Sequence, residues 1–141
     1  MYVAIRIRGR LNLRQDVKDT MKMLKLNKKM HCVLLKDDKV TKGMLQKAKD
    51  YITWGEIDDE MLKLLLEKRT RKAGNQRLTK EEAEVLFDKI KNEQKPVFDI
   101  KPVFRLTPPS KGFKKSIKNH FPRGELGYRG EKINDLLKRM I

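Results

Sequence analysis

Residues 2–54 change hydrophobic period four times, and that succession limits the folds open to this chain. "YVAIRIR" alternates, with Val3, Ile5 and Ile7 on one face and Ala4, Arg6 and Arg8 on the other. That is the period-two pattern of a half-buried strand, and Gly9 breaks it. "RQDVKDTMKML" then sets Val17, Met21 and Leu24 at helical spacing, with Leu13 extending the stripe and Asn12 as N-cap. "HCVLLK" reads as a second strand, too apolar to alternate and so central or covered. After a turn at "DDK", Thr41 caps a short helix with Met44, Leu45 and Ala48 inward, and "YITW" is a third strand ended by Gly55. The expected fold class is α+β: a β-α-β-α-β core over residues 1–55, three strands with two helices on one face. The other face then shows Arg6 and Arg8.

Residues 56–141 read as an extension of helices, one short strand and one long irregular segment that packs back on the core. A helix over 58–69 has Asp58, Asp59 and Glu60 in its first turn, where the helix dipole favours anions, and Ile57, Met61, Leu64 and Leu65 on its apolar side. "KRTRKAGNQR" is a polar loop. "TKEEAEVLFDKI" opens with a capping box, Thr79 to Glu82, and carries the stripe Ala83, Leu86, Phe87 and Ile90. "PVFRL" is a short strand. "GEKINDLLKRMI" places Ile133, Leu136, Leu137 and Met140 on one helical face.

Between that strand and that helix lies "LTPPSKGFKKSIKNHFPRGELGYRG", residues 106–130, to which neither period fits. Its ends are tied to elements that seek the core, while its middle is expected to remain a basic Pro/Gly loop that cannot bury itself.

Charge says what such a loop is for. The net charge is +16, distributed as +9 over residues 1–55, −1 over 56–99 and +8 over 100–141. Self-repulsion on this scale opposes compaction unless a polyanion neutralises it, and the concentration at both ends points to a face or two arms. In the loop, Lys111, Lys114, Lys115, Lys118, Arg123 and Arg129, with Arg105 just before and His120 among them, offer cations to phosphates. Phe113, Phe121 and Tyr128 offer ring faces to unpaired bases or riboses. A second cluster, Arg6, Arg8, Arg10 and Arg14, surrounds the end of the first strand; Lys28 and Lys29 lead into the second, and Lys42 stands at a helix N-terminus. An RNA partner orders the loop on this reading.

Other chemistries find no support. Cys32, the single cysteine, excludes an intrachain disulfide and reads as a small buried hydrophobe. His31 and His120 lack any zinc spacing, "GYRGEK" fails the P-loop pattern, and neither Ser110 nor Ser116 sits in a nucleophile elbow. The acidic clusters at 58–60 and 81–82 could hold magnesium, but helix N-termini account for both. No apolar run reaches membrane-spanning length and no signal-peptide pattern opens the chain, so a reducing, cytosolic setting is expected. No metal, cofactor or small-molecule substrate is implied.

Two stretches carry a family likeness. "VAIRIRGRLNLRQDVKDTMKMLKLNKKMHCVLL" with "KGMLQKAKDYITWGE" resembles the large-subunit ribosomal protein L-thirty family. "FRLTPPSKGF" and "GELGYRGEKINDLLKRM" resemble its archaeal and eukaryotic branch, called L-seven in eukaryotes. The resemblance implies a ferredoxin-like core and no catalysis. It implies a structural place in the large ribosomal subunit, on its rRNA and near 5S rRNA, beside neighbouring ribosomal proteins. By position, Arg8 to Arg10, Lys42 to Met44 and the "LTPPSKGF" loop would touch RNA. Met1 leads straight into the strand, without the long basic extension of eukaryotic members, which implies an archaeal-type protein. The alternatives are a free-standing RNA-binding protein or chaperone and a magnesium-dependent RNA-processing enzyme using Asp58, Asp59 and Glu60.

Overall fold

The computed structural model describes residues 1–93 and 100–141. The strands are β1 (Tyr2–Arg6), β2 (His31–Leu35), β3 (Ile52–Glu56), β4 (Val103–Arg105), β5 (Ser116–His120) and β6 (Gly124–Tyr128). The helices are α1 (Gln15–Met23), α2 (Lys39–Lys47), α3 (Asp59–Arg69), α4 (Lys80–Glu93) and α5 (Ile133–Met140). The β-α-β-α-β order of the ferredoxin-like core is as the sequence predicts. β1 lies at its centre, antiparallel to β2 on one side and β3 on the other.

The sheet is larger than the core. Among the described residues its order is β4-β2-β1-β3-β6-β5, six strands where three are expected. β4 extends one edge beside β2, and β6 pairs with β3, setting Thr53 opposite Gly127. Two strands therefore come from residues 106–130, the segment expected not to pack. Of β6, Gly124 to Gly127 are buried, whereas β5 is exposed along its length.

Both faces of the three-strand core are covered, which corrects the expectation of one open face. Val3 and Ile5 pack with Cys32 and Phe104 against α3, α4 and α5. Tyr2, Ala4, Val33 and Trp54 face α1 and α2 through Val17, Met21, Leu45 and Ala48. The alternation of "YVAIRIR" is real, but the face carrying Ala4 is the one that α1 and α2 cover. A central strand between two helical layers is buried on both sides, and the small Ala4 lets a helix come close.

Local chemistry sets the element ends. The Thr79–Glu82 capping box forms, with Thr79 N–H donating to Glu82 Oε2 at 3.0 Å and Glu82 N–H to Thr79 Oγ1 at 3.4 Å. Asp38, rather than Thr41, caps α2, accepting from Thr41 N–H at 2.8 Å, and this bond lowers the Asp38 carboxyl pKa. Asn12 caps nothing: it turns the chain at φ 58°, and Arg14 stands at the N-cap of α1 without a side-chain bond. α3 buries Leu62, Leu65 and Leu66, a face rotated from the expected one. In α5 the four stripe residues are buried as predicted, each worth about 1.5–3 kcal/mol of apolar transfer. β3 can lie against the start of α5 because Gly55 has no side chain. A Cβ there would stand 2.1 Å from the Gly130 carbonyl oxygen.

Candidate nucleic-acid interface

The end of the sheet where β1 finishes and β2 begins gathers cations from three parts of the chain. Met30 N–H donates to the Arg6 carbonyl at 2.8 Å and Arg10 Nε to the Asn27 carbonyl at 3.0 Å, so the loops at 7–10 and 24–30 are joined. Arg10, Lys28 and Lys29 project from them, exposed. Antiparallel pairing then sets Arg105, from β4, opposite His31. Sequence reasoning assigned Arg105 to the distant loop; the fold gives it to the N-terminal cluster. Field and burial act together on His31. Desolvation first, then Arg105, Lys28, Arg6 and Arg10, lower its pKa.

Within this cluster Arg6 departs from expectation. It does not face outward: it is 3% exposed, and its guanidinium donates to the carbonyls of Leu26 (2.8 Å), Arg8 (3.0 Å) and Gly9 (3.1 Å). It braces the loop from inside. Arg8 is half-buried, lies over the Tyr51 ring at 5.2 Å and donates to the Asp50 carbonyl at 3.3 Å. Arg14 is exposed but pairs with Asp16 at 3.0 Å. Lys42 lies inside the first turn of α2 and pairs with Asp37 at 3.0 Å, which raises its pKa.

The 106–130 segment is held by polar contacts. Thr107 N–H and Ser110 N–H donate to the carbonyls of Met140 (3.2 Å) and Arg139 (3.0 Å), fixing the Pro108–Pro109 stretch to the end of α5. Further on, Arg129 and Glu125 form a buried ion pair at 2.6 Å, with side chains 6% and 5% exposed. Arg129 Nε also donates to Thr53 Oγ1 at 2.9 Å, and Lys115 N–H donates to Glu125 Oε1 at 3.1 Å. Arg129 is thus a second correction: it locks β6 to β3 and presents no free charge.

Lys111, Lys114, Lys118 and Arg123 are exposed, and none makes an ion pair with a described residue. Lys115 is partly engaged, donating to the Pro122 carbonyl at 2.6 Å and lying 4.9 Å from the centre of the Phe121 ring. His120 Nε2 lies 2.9 Å from Asp50 Oδ1. Since Arg8 reaches the same Asp50, this residue links β5 to the N-terminal cluster.

The aromatics are less free than their spacing suggests. Phe113 packs partly buried against the α3–α5 core. Phe121 is already faced by Lys115, Arg129 and Lys132. Tyr128 alone of the three is exposed, by 50%, tilted against Trp54 and donating to Glu56 Oε1 at 3.3 Å. Its hydroxyl pKa is raised, by burial first and Glu56 second. Sequence reasoning missed Lys132 and Arg139, which the fold sets around Phe121 with Lys114 and Lys115. The polar side of the α5 stripe was the available signal.

Burial pushes the Cys32 thiol pKa far up, consistent with a packed hydrophobe. Asp59 pairs with Lys91 at 2.8 Å, and among the described residues no three His, Cys, Asp or Glu side chains gather to hold a metal. No helix among them is long and apolar enough to cross a membrane.

Comparison with known proteins gives this geometry its context. Residues 2–52 match the family described as "Ribosomal protein L30p/L7e". The chain is 45% identical over 152 residues to the large ribosomal subunit protein uL30 of Methanosphaera stadtmanae, covering 100% of both chains. It is 46% identical over 155 residues to that of Thermoplasma volcanium, covering 100% of this chain and 93% of the relative. For that of Staphylothermus marinus the figure is 48% over 161 residues, covering 100% and 98%. With likeness along its whole length, and the ferredoxin-like core in place, this chain belongs to the uL30 family of large ribosomal subunit proteins.

Proposed function

We propose that this protein is a structural constituent of the large subunit of the cytoplasmic ribosome, bound to large-subunit rRNA and lying near 5S rRNA, with no catalytic step of its own. The observation that carries the rRNA contact is the convergence of Arg10, Lys28, Lys29 and Arg105 at one end of the sheet, none ion-paired with a described residue. Cations crowded in this way repel one another until phosphates neutralise them. Lys111, Lys114, Lys118 and Arg123 form the second contact, with Tyr128 as the available stacking face. Residues 1–55 act as the rRNA-binding core, and residues 56–141 carry the second contact and the neutral α3–α4 surface for neighbouring ribosomal proteins. The 5S position rests on the family resemblance.

Two measurements test the reading. Neutralising about six to ten phosphates makes affinity for large-subunit rRNA fall roughly 10³–10⁵-fold between 50 and 200 mM salt. In gradient sedimentation the protein migrates with large subunits at one copy each. A flat salt profile, or a protein that stays at the top of the gradient, defeats the proposal.

A further inference from the structure

Among the described residues two arginines are buried, Arg6 and Arg129, and they differ in one respect. Arg129 lies 2.6 Å from the Glu125 carboxylate, so its charge is cancelled where it sits. Arg6, 3% exposed, forms no ion pair with any described residue. Backbone carbonyls orient its guanidinium but carry no net charge to offset it. A buried cation without a counter-anion is costly. Burial first, and Arg10 second, lower the Arg6 pKa, as expected of an uncompensated charge.

The surroundings of Arg6 show where an anion would go. A cleft of about 270 Å³ opens beside it, lined by Arg6, Arg10, Lys18, Lys22 and Asn27, with Leu13 and Met21 as its apolar part. No carboxylate of a described residue lines it. Lys18 and Lys22 stand one turn apart on α1 and so share a face. Arg10 is fixed by its bond to the Asn27 carbonyl, so part of the wall is set before any ligand arrives. The cleft falls below the ~300–1,000 Å³ of ordinary small-molecule sites. It suits one phosphate with its sugar, the sugar lying on Leu13 and Met21.

We propose that this cleft is a built site for a single phosphate group, the counter-anion that Arg6 lacks, with Arg10, Lys18 and Lys22 as its other partners. The inference deepens the rRNA-binding reading and rests on it for the source, a phosphodiester of RNA; free phosphate is the other source of the same chemistry.

The test uses the full chain and three proteins: the wild type, the double variant Lys18→Glu/Lys22→Glu, and a control, Lys68→Glu/Lys89→Glu, with the same charge change on α3 and α4. Melting temperature is compared in inorganic phosphate and in chloride at equal ionic strength. The expected result is a phosphate-dependent rise in the wild type and control that is absent in the cleft variant. Arg10→Gln, a milder change, reduces the rise. In the second arm the salt slope of rRNA binding is measured, and the cleft variant loses about 0.7–0.9, the share of one phosphate. Loss of both responses supports an RNA phosphate in the cleft. Loss of the thermal response alone supports the site with free phosphate as its occupant. Equal phosphate responses in all three proteins overturn the site, whatever the RNA slope does. A flat RNA profile in the wild type with a cleft-dependent thermal response overturns the rRNA reading and leaves the site standing.

Discussion

Every residue of β1, from Tyr2 to Arg6, is buried, and every residue of β5, from Ser116 to His120, is exposed, yet one sheet contains both. β1 has its place because helices press on both of its faces. β5 has no such layer and hangs on β6, which is itself held by polar contacts: Arg129 to Glu125, Arg129 to Thr53, and Thr53 Oγ1 to the Gly127 carbonyl at 3.0 Å. The core owes its order to apolar burial, β6 to its pairing with β3 and a small buried polar network. Networks of this kind stabilise when complete and fail sharply when one member is lost.

The largest expected effect strikes that network. Arg129→Ala leaves the Glu125 carboxylate buried without its cation, and should cost about 3–5 kcal/mol in urea unfolding of the full chain. Glu125→Leu combined with Arg129→Met, which removes both charges, should cost clearly less. If Arg129→Ala instead unfolds like the wild type, the basic segment lies outside the cooperative unit and the contrast with β1 is false.

A smaller effect separates holding the segment from using it. Charge reversal at Lys114, Lys118 and Arg123 touches exposed side chains outside the network. Stability should change by no more than about 0.5 kcal/mol for each substitution. The salt slope of rRNA binding should fall by about 2, three single-strand phosphate contacts at roughly 0.7 each. A drop in melting temperature with an unchanged slope would show that these cations serve the fold.

The same contrast explains what was legible in the sequence. Apolar periods announce themselves, so the α5 stripe, the α4 stripe with its capping box and the β-α-β-α-β order are all readable from residue spacing. β6 is not. Of its four buried residues, Gly124, Glu125, Leu126 and Gly127, only Leu126 is a large apolar side chain. Glu125 reads as a loop charge until Arg129 and Lys115 are placed around it. The candidate interface divides in the same way. That the chain presents cations at both ends follows from composition, but which ones are spent inside the fold depends on tertiary partners. Arg129 is spent on Glu125, and Arg6 is drawn inside the fold without an ion pair to any described residue; Arg105, 74 residues beyond His31, is delivered to the N-terminal cluster by strand pairing.

The smallest expected effect reports on that cluster. His31 Nδ1 is buried with no hydrogen-bond partner among the described residues, and four cations act on the ring. Its pKa is lowered in the folded protein, so the unfolded chain takes up the proton first as pH falls. Stability from the neutral ring is complete above the unfolded value, about 6.5, and declines as pH drops from there through the lowered folded value. His31→Asn should remove this component of the pH dependence. Anions bound to Arg10, Lys28 and Arg105 should act oppositely on the native ring, since they cancel the field that disfavours its proton. NMR titration of the His31 ring in chloride and then with an rRNA fragment should therefore show its pKa rising on binding. An unmoved titration would place the RNA away from this end of the sheet and leave the exposed cations of the 106–130 segment as the main contact.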